Sequence, residues 1–382
     1  MLKNPSGTIP PHDVKRTMLD SLTSLRFFAA LTVFTWHLRG LVTLPLVNWV
    51  QTGYIGVSFF YVLSGFILAY VYTEKLRKGN VSSIKQFYVS RVAKLWPVHL
   101  LTFALSLPLV FVFGQYIVSS HLDGQLVSAA VANLTLTQAW IPQNGFNFSY
   151  NGVAWSLSVE VFFYAVFPAI IYAFGRVSHV LTTKRLIVIM CGLWLVTMLI
   201  CLSIPAVMDD WRFYILPIAR LPDFLMGILI GLIFLNMRKA QVSVVKKASG
   251  TRYELTVLLV LVVMLGVSGL LPQSLRFSAW LLPVWAFVIF IFAHQSGILS
   301  RLLAWRPLVF MGEASFSFYM IHQLVIRYMS LLQLPPVATV LMSLAAALIL
   351  SGLVYVLFEE PLRVRLKGFM ESKLVSANNV SR

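Results

Sequence analysis

The chain has 382 residues, of which 59% are hydrophobic and only 11% charged, and its repeated long apolar runs exclude both a soluble globular domain and a disordered chain. A net charge of +17 would suit a nucleic-acid partner, but the basic residues fall in loops between apolar spans, with no basic–aromatic platform, so nucleic acid is excluded as well. What remains is an all-α integral membrane protein whose first partner is the lipid bilayer. Cys191 and Cys201 lie in one apolar span and imply no disulfide framework.

Residues 1–21 form a polar tail punctuated by Pro5, Pro10 and Pro11, without the short apolar region and cleavage site of a signal peptide. About ten apolar spans follow, near 22–45, 53–73, 95–113, 152–174, 186–207, 219–237, 255–272, 277–294, 308–328 and 337–358. They make a membrane domain over 22–360 and leave a short basic tail over 361–382. The N-terminal tail, the loops after even-numbered spans and the C-terminal tail hold 24 of the 30 basic residues. The positive-inside rule therefore puts both termini in the cytoplasm. The long segment 114–151 falls outside, has no Lys or Arg, and is rich in amides and aromatic rings. That composition suits a carbohydrate surface or, equally, a re-entrant cover over the helices. Asn133 and Asn147 have the spacing of glycosylation acceptors.

Ionisable residues inside membrane spans are costly, about 2.5 kcal/mol or more each, and so mark functional positions. The first span carries two, Arg26 and His37. Eleven residues make about three helical turns, so both lie on one face, roughly 16 Å apart along the axis. Histidine there serves as general base, nucleophile or relay. The competing account is a histidine bonded to a neighbouring helix and an arginine reaching the interface. Gly53 to Phe66 has the small-residue spacing of close helix packing. Arg91 and Lys94, at the mouth of the third span, share a face and suit phosphate groups, or else simple interfacial anchoring. Ser156 and Glu160 share a face of the fourth span, where Glu160 is set to orient or activate a hydroxyl from the outer side. Ser315 and His322 share a stripe of the ninth span, and Arg220 with Asp223 has the spacing of a local ion pair. No metal-ligand cluster, phosphate-binding glycine loop or nucleophile elbow occurs.

In this order, the residues resemble the membrane-bound acyltransferase-3 family. Arg26 and His37 match its Arg–x10–His, Gly56 to Phe66 resemble its F-F-x-x-S-G-F run with Tyr61 at the second aromatic position, and Arg91, Lys94 and Pro97 match its R-x-x-K/R-x-x-P. Trp155 to Glu160 match W-S-L-x-x-E, and Arg220, Phe224 and Gly227 match R-x-x-x-F-x-x-G. Ser315, Tyr319 and His322 resemble S-x-x-x-Y-x-x-H, and Glu360–Pro361 closes the last span. Where the family often has Asp after Gly-Val, this chain has Ser58, so no carboxylate role carries over to that position.

The resemblance implies a membrane O-acyltransferase that takes an acyl group, usually acetyl, from cytoplasmic acyl-coenzyme A (acetyl-CoA) to a hydroxyl of a surface polysaccharide, glycolipid or related acceptor. His37 and Glu160 would be catalytic, with Arg26, Arg91 and Lys94 on the coenzyme. Trp155, Ser156, Arg220 and His322 would contact the acceptor, with no metal. The implied home is a bacterial cytoplasmic membrane. Some members carry an extracytoplasmic hydrolase-like domain; here the membrane domain, or a separate extracytoplasmic partner, would complete the transfer. A transporter or flippase of a lipid-linked glycan, without covalent chemistry, is the alternative that ten polar-lined spans also allow.

Overall fold

The computed structural model describes residues 19–39, 53–114, 125–203, 211–242, 245 and 247–380, and helix is the only regular secondary structure among them. α1 (Asp20–His37) is 18 residues long, about 27 Å, a little short of the bilayer core. The end of the expected first span, residues 40–45, lies outside the described residues. α2 (Ile55–Leu76) returns antiparallel to α1, and Gly53 and Gly56 allow the approach: a Cβ on either would collide with the carbonyl oxygen of Thr32 or Ala29.

α3 (Val81–Phe111) begins fourteen residues before the span expected at 95. Its start is fixed by Asn80, whose side chain accepts the Ser82 backbone N–H at 2.9 Å. Arg91 and Lys94 consequently lie within a 31-residue helix rather than at its mouth.

The segment 125–154 folds down as a cover. It contains α4 (Leu126–Leu134) and three single turns, Gln138–Trp140, Asn144–Asn147 and Gly152–Ala154. Asn133 and Asn147 are buried in it, each 1% exposed. The Asn133 amide donates to Ser149 Oγ at 2.5 Å, and its backbone carbonyl meets His99 Nε2 at 2.9 Å. Neither asparagine is presented as a glycosylation acceptor. Asn133 is used inside the cover, while the Asn147 amide is buried there with no hydrogen-bond partner among the described residues.

Then follow α5 (Trp155–Arg176), α6 (Thr183–Ser203), α7 (Leu221–Lys239) and α8 (Gly250–Ser268). α2 and α7 make the most extensive helix–helix contact among the described residues. A Cβ on Gly65 would strike the Phe224 carbonyl oxygen, and one on Gly227 the Val62 carbonyl oxygen, so glycine is what lets these backbones touch. α6 and α8 are mostly exposed and apolar, as lipid-facing helices are. α8 still buries Glu254 completely: its carboxylate accepts the N–H groups of Gly297, Leu299 and Ser300 at 3.0, 2.9 and 3.3 Å. These are the otherwise orphaned donors at the start of the next short helix.

The chain continues through α9 (Leu282–Ala293), α10 (Ile298–Leu303), α11 (Arg306–Glu313), α12 (Ser315–Ser330), α13 (Pro336–Val354) and α14 (Glu360–Val380). α11 and α12 meet at a 65° bend. At that bend Gly312 lies against the Thr23 carbonyl of α1, where a side chain would not fit. Beyond Leu362, where the sequence suggested a plain basic tail, α13 continues through the wide turn Tyr355–Glu359 into α14.

Helices thus occupy each of the ten expected places. Among the described residues eight are long and apolar enough to cross a membrane alone, and the bent pair α11–α12 makes a ninth. α1, with Asp20, Arg26 and His37, falls below that apolarity because its polar residues serve the interior.

Candidate active site

α1, α2, α5 and α12 each contribute one polar stripe to the centre of the bundle, and the stripes enclose two cavities arranged along α1. The first, of about 220 Å³, is lined by Arg26, Arg91, Lys94, Glu160 and Ser315 among apolar neighbours; we call it the basic chamber. The second, of about 240 Å³, holds His37 and Arg39 among Trp36, Tyr54, Trp155 and Tyr214; we call it the aromatic chamber. Val57 of α2 and Tyr319 of α12 line both, so they form the partition between them. Arg26 and His37 therefore do share a face, as their spacing requires, but each opens into its own chamber.

In the basic chamber the cations differ in how they are held. Arg91 is fixed: its guanidinium donates to Tyr72 Oη at 3.1 Å and Ser90 Oγ at 3.2 Å, and lies 5.4 Å from the Tyr72 ring centroid. Arg26 and Lys94 make no hydrogen bond or ion pair with any described residue. Lys94 lies within electrostatic reach of Arg26, Arg91, Glu160 and Glu359. Glu160 accepts a hydrogen bond from Tyr164, one turn along α5, and Ser64 of α2 donates to it at 3.5 Å. Glu359 accepts from Ser317 Oγ at 2.5 Å. The Ser315 hydroxyl is buried in the chamber wall without a partner among the described residues. Three cations against so few carboxylates, two of them unpaired, favour an anionic ligand.

The partition is a small network. Tyr319 Oη donates to Ser156 Oγ at 2.9 Å, Ser156 Oγ donates to the Val153 carbonyl at 2.9 Å, and Tyr61 Oη donates to the Ser156 carbonyl at 3.4 Å. Ser156 thus holds Tyr319 in place and lines the basic side.

The aromatic chamber is built from six separate stretches. Trp155 packs on Tyr214 with ring centroids 4.9 Å apart, and Tyr54 and Tyr214 each pack on Phe277 at 4.9 Å. Tyr214 Oη donates to the Tyr54 carbonyl at 3.0 Å, which ties the far wall together, while the Tyr54 hydroxyl has no partner among the described residues. Phe148 and Gly152 of the cover close one side. Flat rings around a few unpaired polar groups make a wall suited to a ligand with both apolar faces and hydroxyls.

Four expected positions are placed differently from the sequence reading, the first of them Ser156, which was expected to touch the acceptor but lines the basic chamber and not the aromatic one. Glu160 was expected to approach His37 or the acceptor from the outer side; it lies in the basic chamber, bonded to Tyr164 and Ser64. Arg220 was expected to touch the acceptor, yet it is fully buried and lines neither chamber. It pairs with Asp223 at 3.1 Å, donates to Ser58 Oγ at 2.5 Å and to the Phe277 carbonyl, and packs between the rings of Tyr61 and Tyr214. An arginine so deep must be paired and hydrogen-bonded by its own neighbours: Asp223 supplies the counter-charge and Ser58 accepts one of its N–H groups. His322 is also fully buried, behind His37 rather than in a chamber. Tyr164, Tyr214, Tyr54 and the partition role of Tyr319 were not singled out from the sequence; Tyr319, one turn before His322 on a polar stripe, was the one with a readable signal. Among the described residues no three His, Cys, Asp or Glu side chains gather as metal ligands.

A family model described as an acyltransferase domain matches residues 19–356. The chain is 29% identical to the acyltransferase MdmB of Streptomyces mycarofaciens, with 92% of this chain and 93% of that protein covered. It is 25% identical to the peptidoglycan O-acetyltransferase OatA of Listeria monocytogenes, over 91% of this chain and 56% of that protein. The O-acetyltransferase OatA of Staphylococcus aureus is 23% identical, over 92% of this chain and 58% of that protein. The chain thus spans a little over half the length of the two OatA proteins. No solved structure matches it.

Proposed function

The chain belongs to the acyltransferase-3 family, the one its ordered motifs resemble, and is an O-acyltransferase; on that premise we propose that it moves an acyl group, acetyl first of all, from an acyl-coenzyme A in the basic chamber to a hydroxyl of a glycan or glycolipid acceptor in the aromatic chamber. The observation that carries this reading is the pair of unpaired cations, Arg26 and Lys94, in one chamber, with His37 in the adjoining one. Phosphate groups of the donor meet Arg26, Lys94 and Arg91, and the pantetheine arm extends toward Val57 and Tyr319. About three turns of α1 separate the cation from the histidine, so the arm must be long and thin. A transporter without covalent chemistry has no place in a family of acyltransferases.

At the partition, the acceptor oxygen attacks the thioester carbonyl carbon while His37 takes the hydroxyl proton. The carbon–sulfur bond then breaks, the ester forms, and His37 returns its proton to the departing thiolate. Hydroxyl plus thioester gives ester plus thiol, with no proton left over. General-base help of this kind is worth on the order of 10²–10⁴-fold in rate. Glu160 holds Tyr164 and Ser64 beside the thioester arm rather than serving as the base. In this reading the Arg26 end of α1 faces the cytoplasm, where acyl-coenzyme A is made, and the aromatic chamber faces outward in a bacterial cytoplasmic membrane, in keeping with the distribution of Lys and Arg.

The test is acyl transfer by purified protein in lipid, with labelled acetyl-coenzyme A and crude cell-envelope glycan, wild type beside His37→Ala. Label is expected in the glycan, with free thiol released, for the wild type alone. Equal transfer by His37→Ala would reject the assignment of the base, and a wild type inert across a panel of acyl donors and hydroxylated acceptors would reject the donor and acceptor classes.

A further inference from the structure

We propose that His322 is a positioning residue that, together with the Val33 carbonyl, holds the tautomer of His37 and so keeps one of its ring nitrogens free to take a proton. The inference deepens the reading of His37 as general base and rests on it.

Two backbone carbonyls carry the argument, because a carbonyl can only accept. His322 Nδ1 lies 3.2 Å from the Phe318 carbonyl oxygen, so it is the nitrogen that bears hydrogen. Its Nε2 is then a bare acceptor, and it faces His37 Nδ1 at 3.0 Å. His37 Nδ1 also lies 2.9 Å from the Val33 carbonyl oxygen. With an acceptor on each side, His37 Nδ1 must carry the hydrogen and share it between them. His37 Nε2 is thereby left with a free lone pair, and it has no partner among the described residues. His37 itself lines the aromatic chamber, where a hydroxyl would approach.

His322 is held so that it cannot turn away. It is fully buried, its ring is stacked on Phe318 at a centroid distance of 6.0 Å and 15°, and Phe34 and Tyr319 pack at 6.2 and 5.8 Å. A ring flip would point a carbon at the Phe318 carbonyl and lose a buried hydrogen bond. When His37 becomes imidazolium, its Nδ1–H bond to His322 Nε2 becomes charge-assisted and strengthens. The contact therefore helps the transition state more than the resting enzyme. The role is that of the buried orienting acid in a serine hydrolase triad, performed by a neutral ring.

The test uses protein labelled with ¹⁵N-histidine in lipid discs, with the His37 signal assigned by its loss in His37→Gln. The ¹⁵N shifts read the tautomer whether or not the protein is active, so failure here is distinct from failure of the acyltransfer reading. The expected wild-type His37 is hydrogen-bearing at Nδ1 and bare at Nε2. His322→Leu leaves only the Val33 carbonyl to hold that hydrogen, so it should move part of the population toward the Nε2–H form that neutral histidine favours in water, and lower kcat about tenfold or more without moving KM for donor or acceptor. His322→Gln, whose amide oxygen can accept the Nδ1–H, should restore the tautomer and most of kcat. A wild-type His37 bearing hydrogen at Nε2, or a tautomer indifferent to His322→Leu, would overturn the proposal. So would a His322→Gln variant as slow as His322→Leu.

Discussion

The two chambers are nearly equal in size and lie end to end on the same four helices, yet they are furnished in opposite ways. The basic chamber gathers three cations and a carboxylate beside its rings; the cations project from α1 and α3, and two of them hold no partner among the described residues. The aromatic chamber has rings braced against one another by edge contacts and one backbone hydrogen bond, with a histidine at its edge. A single cavity furnished either way would bind one substrate. In the proposed reading, two joined at Val57 and Tyr319 would bring unlike substrates to one point without mixing their sites, which is what a transfer between a charged donor and a hydroxylated acceptor requires.

The division is most severely strained at the partition. Tyr319→Trp fills the passage, and transfer should fall at least about 10²-fold while acyl-coenzyme A binding, followed by calorimetry, persists. Loss of donor binding instead would mean that the chambers are one site. Arg26→Ala and Lys94→Ala come next. Each removes a charge-assisted contact worth about 1.5–3 kcal/mol, so KM for the donor should rise tenfold or more, with KM for the acceptor unchanged. Trp155→Leu should do the reverse and more weakly. An aromatic contact of about 0.5–1.5 kcal/mol predicts a several-fold rise in acceptor KM alone, and steady-state kinetics with each substrate varied in turn would expose any crossover. The smallest effect belongs to Asn80→Ala, which touches neither chamber. It should cost about 1 kcal/mol of thermal stability through the lost helix cap and leave both KM values in place.

What the sequence made legible was whatever repeats along a helix. The shared stripe of Arg26 and His37, the pairing of Arg91 with Lys94 and the packing glycines of Gly53 to Phe66 follow from 3.6-residue periodicity, and the structure contains all three. What stayed hidden was convergence between helices. Nothing local to Trp36, Tyr54, Trp155, Tyr214 or Phe277 announces that they form one wall, because they meet only through the tertiary fold. Periodicity also cannot tell a polar residue that faces a cavity from one that faces another polar residue. Arg220 is the example: its spacing to Asp223 was readable, but its burial against Ser58 and Phe277 depends on α2 and on the turn before α9. His322 is the other, sharing a stripe with Ser315 yet sealed behind His37. The start of α3 was missed because residues 81–94 are too polar for a hydropathy window, whereas the Asn80 cap marks the true boundary.

The most direct test of donor and acceptor reaching His37 from opposite faces is transfer across a sealed bilayer. Protein is reconstituted into vesicles in one orientation, with glycan acceptor trapped inside and labelled acetyl-coenzyme A supplied outside, on the face nearer Arg26. The two-chamber arrangement predicts labelled glycan inside the vesicles, and none when the orientation is reversed. Label appearing only when donor and acceptor share the same face would contradict it.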